Sequence, residues 1–294
     1  MTLQVAIALL VAALAMVGTA AAQGRGRGVG KTVGAPVQSS SASAGPVALQ
    51  PSASFPQFGT WLDDATTADV GEGYLSIGAS YWGGASADQV DAPIFGVTYG
   101  IAKRAQLSAT VPFYRTTYEG FSGSGLDTIY IGAKIAVVDP DAGSRRFGLA
   151  IGGATEILSA GFADVARAHW VAPLSMELRV HALRLYGSTG YFSRGAFFAT
   201  SAFEWTMPNG MSVTASLAQS TSVHSGAVAT PTKVPRSSLR DASVFLSHPI
   251  KSGASVYVAG SRTFAGTWID SASSFSGGFS FRFGSPTRTV SEGE

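Results

Sequence analysis

From Glu72 onward the chain alternates apolar and polar residues with a period of two. The segment 126–138 is the clearest case, with Ile129, Ile131 and Ile135 on one face and Tyr130 and Lys134 on the other. This period belongs to β-strands, whose successive side chains point to opposite faces, and not to helices. The pattern predicts about twelve strands, near 72–82, 91–100, 105–115, 126–138, 146–158, 168–180, 183–193, 195–206, 211–220, 239–248, 254–264 and 272–283.

The connectors between these segments differ in length in a regular way. Those after even-numbered strands are tight, as at 101–104 and 181–182, whereas those after odd-numbered strands include long Gly/Ser-rich stretches such as 116–125 and 221–238. Short turns at one end and longer loops at the other are typical of outer-membrane barrels. We therefore predict an all-β fold, an antiparallel transmembrane β-barrel of about twelve strands with both chain ends on the short-turn side.

A water-soluble sandwich would alternate in the same way, so the composition of the two faces decides between the alternatives. Charged residues make up 13% of the chain, against about 25% in soluble domains. The polar face is mostly Ser, Thr, Gly and Ala, which suits a water-filled lumen. The apolar face carries aromatic residues near segment ends, as girdles at the two membrane surfaces require: Tyr81, Trp82, Phe113, Phe147, Trp170, Tyr191 and Trp205. These features favour a lipid-facing barrel in the bacterial outer membrane.

Four regions follow from the composition along the chain. Residues 1–22 are expected to be a signal peptide, because the apolar run 5–17 is too short for a membrane span and ends in small residues. Residues 23–70 form a Gly-, Ser- and Pro-rich arm that is long enough to enter the lumen as a plug or gate. The barrel covers 71–284 and a tail covers 285–294. The Phe-rich last strand resembles an outer-membrane signal strand, so barrel-assembly machinery is an expected partner.

Isolated charges on the polar face are the candidate functional residues. Lys134, Glu156, Glu177, Arg179 and Arg184 are the lumen and selectivity candidates. Rings of such side chains select the sign of the permeating ion in channels. Opposite charges on consecutive strands also pair with one another, and both interpretations stay open at this stage.

Other function classes find less support in the residues. Twenty Lys and Arg against 18 Asp and Glu argue against nucleic-acid binding, and the absence of Cys excludes thiolate chemistry. No pattern indicates a metal, a nucleotide or another cofactor. A lipid-modifying enzyme would need a Ser beside an oriented His, and the candidates are His224 with Ser225 and Ser247 with His248. We expect no enzyme activity. A closed structural or adhesive barrel is the remaining alternative.

Two segments resemble the outer-membrane family of the MetA-pathway of phenol degradation. In the first, a strand ends in Tyr99–Gly100, a charged turn follows, and the next strand reaches Pro112 and Phe113. In the second, Gly125 and Asp127 open a strand that contains Lys134. The resemblance covers about 45 of the 294 residues. It implies a β-barrel that takes up small aromatic or hydrophobic compounds, and it supplies no catalytic residue. The resulting expectation is an outer-membrane channel for passive uptake of small solutes.

Overall fold

The computed structural model describes residues 62–83, 87–118, 121–140, 146–157, 168–193, 195–222, 238–251, 253–263 and 273–284. Within them it contains thirteen strands: β1 (Glu72–Gly83), β2 (Ala87–Ala102), β3 (Ala105–Tyr118), β4 (Phe121–Leu126), β5 (Ile129–Val138), β6 (Phe147–Ile157), β7 (Ala168–Val180), β8 (Leu183–Phe192), β9 (Ala196–Thr206), β10 (Ser212–Ser222), β11 (Ser238–Lys251), β12 (Ala254–Thr263) and β13 (Ser273–Gly284). In this part of the chain, no helix is long and apolar enough to cross a membrane.

The strands form one closed antiparallel barrel. Strands that are consecutive in the chain pair with each other, except β4 and β5; β13 pairs with β1, and the β2–β3 pairing completes the ring. β4 and β5 share the place of a single strand, because β3 pairs first with β5 and then, farther along, with β4. The barrel therefore has twelve strand positions, which confirms the predicted fold.

The β3–β4 hairpin corrects one predicted loop. The stretch 116–125 was expected to be a long connector, but β3 continues to Tyr118 and β4 begins at Phe121. Six residue pairs from Phe113↔Leu126 to Tyr118↔Phe121 join the two strands. Main-chain pairing satisfies backbone groups whatever the side chains are, so a Gly/Ser-rich segment can still form a strand.

The two faces of the wall separate as the alternation requires. Outward-facing apolar side chains are strongly exposed, for example Ile135 (58%), Ile151 (56%) and Leu217 (56%), while the neighbouring Lys134 and Ala150 are buried. Trp82 is an exception to the predicted aromatic girdle. It shares the parity of the buried Ser76 and Ser80 and is only partly exposed, so it faces inward. Position along the strand fixes the direction of a side chain, and aromatic character does not override it.

The short turns lie together at one end of the barrel. Lys103–Arg104 joins β2 to β3, and His181–Ala182 joins β7 to β8. Arg104 and His181 adopt positive φ values of 74° and 56°, a conformation that two-residue hairpins require. β1 begins and β13 ends at this same end, as predicted. In an outer-membrane barrel the short turns face the periplasm.

Candidate functional site

A segment that precedes β1 lies inside the barrel at its short-turn end. Residues 62–69, here called the lumen segment, contact three inward-facing wall positions on β3, β5 and β8. Leu62, Asp63, Asp64, Ala65, Thr66 and Ala68 are all buried. The Ala68 N–H donates to Oε1 of Gln106 at 2.9 Å. The Gly71 N–H donates to the Gly100 carbonyl at 3.0 Å, which fixes the point where the segment passes into β1.

Two wall glycines leave room for this segment. A Cβ on Gly100 would overlap the carbonyl oxygen of Asp69 and lie 2.5 Å from that of Ala68. A Cβ on Gly148 would lie 2.7 Å from the Ala65 Cβ. Real Cβ atoms do not approach this closely, so both glycines are matched to the segment and allow its backbone to lie against the wall.

Lys134 of β5 is held by the lumen segment. Its ammonium group donates to Asp63 Oδ1 at 2.8 Å, to Asp64 Oδ1 at 3.2 Å and to the Asp64 carbonyl at 3.2 Å. The Lys134 side chain is 5% exposed. Within the described part of the chain, the hydrogen bonds of this ammonium go to the segment and none goes to the barrel wall. A buried ammonium requires a partner of opposite charge, and here that partner comes from outside the sheet.

Arg184 of β8 binds three carboxylates at once. Its Nη2 donates to Asp64 Oδ2 at 2.8 Å, its Nη1 to Glu204 Oε2 at 2.8 Å, and its Nε to Glu177 Oε1 at 2.9 Å. Arg179 also donates through Nε to Glu177 Oε1. Asp64 therefore bridges two cations, with one carboxylate oxygen toward Lys134 and the other toward Arg184. The wall supplies three cations and two carboxylates to this group, and the segment supplies two more carboxylates.

The two aspartates of the segment differ in acidity. Burial raises the pKa of Asp63 above its ordinary value, although Lys134 opposes this effect. Burial also disfavours the charged form of Asp64, but Lys134 and Arg184 together outweigh it and hold the pKa of that carboxyl well below its usual range. Asp64 is therefore the carboxylate that keeps the segment docked when the pH falls.

An apolar contact lies beside the ion pairs. Leu62 of the lumen segment packs in one buried cluster with Tyr186 of β8 and Ala202 of β9. The Arg184 guanidinium lies 5.1 Å from the centre of the Tyr186 ring. This is within the range of a cation–π interaction. The short-turn half of the lumen thus offers an apolar surface and two cations side by side.

The other half of the lumen has a different character. Glu156 Oε1 accepts a hydrogen bond from the Tyr130 hydroxyl at 2.8 Å. Tyr130 belongs to a buried apolar cluster with Val171, Phe192 and Phe198. The sequence pattern predicts an inner face of mostly small residues, but the structure also places these aromatic side chains on it. Glu156 therefore lies apart from the other four charged candidates that the sequence analysis named.

The sequence candidates fall into two groups in the structure. Lys134, Glu177, Arg179 and Arg184 come together in the short-turn half, linked through Asp63 and Asp64, whereas Glu156 lies toward the longer loops. Sequence reasoning missed Asp63 and Asp64, which lay within the proposed plug but were not singled out. Their signal is a pair of adjacent acidic residues directly before the first strand.

The residues that carry the family resemblance lie on or next to β2, β3 and β4. Gly100 borders the lumen segment, and Tyr99 faces outward and stacks on Phe283 with ring centres 6.3 Å apart. The Pro112 carbonyl accepts from the Asp127 N–H at 3.0 Å. Asp127 Oδ2 accepts from Gln89 Nε2 at 3.1 Å, and Gly125 pairs with Tyr114. These positions hold together the β2, β3 and β4 part of the wall.

The enzyme candidates do not assemble where the structure describes them. Ser247 and His248 both lie within β11, where Ser247 is buried toward the lumen and His248 is exposed. Consecutive strand residues point to opposite faces, so the two cannot form a nucleophile and base. His224 and Ser225 lie outside the described residues, as do the expected signal peptide and tail. Among the residues that the structure covers, no group of three His, Asp or Glu side chains could hold a metal ion.

A closed barrel with an exposed apolar band, inward polar side chains and short turns at one end defines a bacterial outer-membrane β-barrel protein. Solved structures share this architecture. The COG4313 outer-membrane channel from Pseudomonas putida F1 superposes with a TM-score of 0.56 at 11% identity, covering 75% of this chain and 98% of that one. The KdgM porin in complex with disordered oligogalacturonate gives 0.51 at 12% identity (71% and 99%), and the NanC porin 0.50 at 10% (70% and 98%). No family model and no curated protein sequence matches the chain. At these identities the likeness concerns the fold.

Proposed function

We propose that the protein is an outer-membrane channel for passive uptake of small solutes, aromatic or hydrophobic compounds among them, and that the lumen segment is its gate. The observation that carries this proposal is the set of ion pairs of Lys134, which all run to Asp63 and Asp64 on the segment. A wall cation whose partners belong to a separate segment is suited to two states, one with the segment docked and one with it released.

The dimensions of the barrel support passage once the segment leaves. Twelve strands spaced about 4.8 Å apart and tilted by about 40° enclose a backbone diameter of roughly 24 Å. Many inward side chains are as small as Ser76, Ser175 and Thr200, although the inward Tyr130, Phe192 and Phe198 narrow the half of the lumen toward the longer loops. Arg179 and Arg184, two of the five selectivity candidates, are proposed to select the permeating ion after release of the segment.

Conductance in a planar bilayer tests the gate. The full chain should show rare openings, and the double variant Asp63→Asn, Asp64→Asn should open far more often because the segment loses both of its buried charges. Asp69→Asn is the matched control, since Asp69 lies on the same segment but is exposed. A barrel that stays silent in the double variant would contradict the proposal.

A closed structural barrel is the second candidate, because a lumen filled by its own chain is also what such a protein would show. The same experiment separates the two functions. A structural barrel remains silent in the double variant and in the control, while its heat-modifiable migration on gels persists. We propose no enzyme activity for either state.

A further inference from the structure

The three residues Leu62, Asp63 and Asp64 are bound by the wall in the way a small amphipathic acid would be. Leu62 packs against Tyr186 and Ala202, and the two carboxylates meet Lys134 and Arg184. We propose that this part of the wall is a binding site for small solutes that carry a carboxylate on an apolar or aromatic body, and that such solutes compete with the lumen segment and release it. This inference rests on the proposed function and names its solute class.

The charges of the site specify an anion. Without the lumen segment, the wall group keeps Lys134, Arg179 and Arg184 against Glu177 and Glu204. Lys134 is the cation left without its docked partners, because its bonds go to the segment. A lumen ammonium that has lost its counter-charges attracts an anion, so an incoming carboxylate is favoured there over a neutral solute.

The geometry specifies a single carboxylate at the centre of the site. The Arg184 guanidinium donates through Nε to Glu177 and through Nη1 to Glu204, which leaves Nη2 for Asp64. Lys134 approaches the other oxygen of the same carboxylate at 3.2 Å. A solute carboxylate placed where the Asp64 group lies would receive both charge-assisted hydrogen bonds.

The apolar part of the site specifies the body of the solute. Leu62 fills the space between Tyr186 and Ala202, directly beside the cations. An aromatic ring in this place would contact the Tyr186 ring and bury apolar surface, which adds affinity that a bare carboxylate lacks. Benzoate combines both features and is the probe of choice.

The test follows release of the lumen segment by thiol labelling. The chain contains no cysteine, so Thr66→Cys gives a single reactive position, at a residue that is 2% exposed when the segment is docked. The labelling rate of the full-length variant in lipid vesicles is measured with benzoate, with benzyl alcohol and with acetate. Competition at ten times the dissociation constant should raise the released-to-docked ratio about 11-fold.

The expected result is faster labelling with benzoate, no change with benzyl alcohol, and a response to acetate only at much higher concentration. An equal response to benzyl alcohol, or none to benzoate, would overturn the proposal. Because Lys134→Met also weakens docking, its effect on the solute site is measured in the Asp63→Asn, Asp64→Asn background, where it should raise the dissociation constant for radiolabelled benzoate at least about tenfold, the effect of losing a single charged contact. Lys103→Met, at an exposed turn, should leave it unchanged. An equal shift in both variants would count against the site.

Thiol labelling tests the carboxylate site and conductance tests the channel function, so the two proposals can fail independently. If benzoate releases the segment but the barrel never conducts, the carboxylate site stands and the channel function does not. If the double aspartate variant conducts but benzoate leaves labelling unchanged, the gate stands and the solute class is wrong.

Discussion

Replacing Lys134 with Met should release the lumen segment while leaving the barrel folded. The substitution removes hydrogen bonds of 2.8, 3.2 and 3.2 Å to the segment and keeps an unbranched side chain of similar length. Asp63 would then hold a carboxylate that is 3% exposed without the cation that faces it. Breaking a buried ion pair by removing one partner costs about 3–5 kcal/mol.

The lower end of that range applies here, because Asp64 keeps its contact with Arg184. A loss of about 3 kcal/mol raises the released-to-docked ratio roughly 150-fold. The sheet itself should be unaffected, since its cross-strand hydrogen bonds do not involve the Lys134 side chain. The cost therefore falls on docking of the segment and not on unfolding of the barrel.

The assay combines open probability in planar bilayers with thiol labelling of Thr66→Cys. Both should rise in Lys134→Met and neither should change in Lys103→Met, which removes the same charge from an exposed turn. Heat-modifiable gel migration reports whether the barrel is intact in each variant. If Lys134→Met folds normally yet conducts and labels like the parent chain, the reasoning that the ion pairs hold the segment is refuted.

Two further predictions concern the fit and the acidity of the segment. Gly100→Ala should displace the segment at a cost of about 1–3 kcal/mol, because the new Cβ overlaps the Asp69 carbonyl. The rate of thiol labelling should therefore rise. Gly153→Ala is the control and should leave the rate unchanged, because a Cβ there meets nothing within 4 Å. Since the pKa of Asp64 is depressed when docked, its contribution is present above the ordinary carboxyl value of about 3.9 and is lost as the pH falls through the depressed value. The pKa of Asp63 is instead raised when docked, so its protonation favours the docked state as the pH falls. Conductance should therefore not rise between pH 7 and pH 5 and should rise only well below pH 4, and an increase already at pH 5 would contradict this assignment.

Strand positions could be predicted because lipid and lumen impose opposite demands on alternate residues. β7, expected at 168–180, spans Ala168–Val180, and β8, expected at 183–193, ends one residue earlier. The prediction failed where the side chains carry no contrast, as in β4, whose sequence is FSGSGL. There the backbone pairing with β3 forms the strand, and backbone pairing leaves no mark on residue type.

The inward direction of the candidate charges was also predictable, since parity along a strand determines it. Lys134 is buried between the exposed neighbours Ala133 and Ile135, and Glu177 is buried on β7. Parity says nothing about the height at which a side chain lies in the lumen relative to charges on other strands. Glu156 consequently belonged to the same sequence group as Glu177 but pairs with Tyr130 in the other half.

The partners of Lys134 and Arg184 explain why the whole site could not be predicted from the sequence. Lys134 binds Asp63 across 71 positions of sequence, and Arg184 binds Asp64 across 120. A strand pattern relates residues to their neighbours in the sheet, and these carboxylates are not part of the sheet. One feature of the wall does indicate an outside partner. A lysine on a lumen face needs a counter-charge. The residues that pair with Lys134 on the adjoining strands are Gln106 and Gly152, and neither is charged. A charged lumen residue with neutral cross-strand neighbours therefore points to a partner from another part of the chain or from a solute, and in this barrel the same wall position is suited to both.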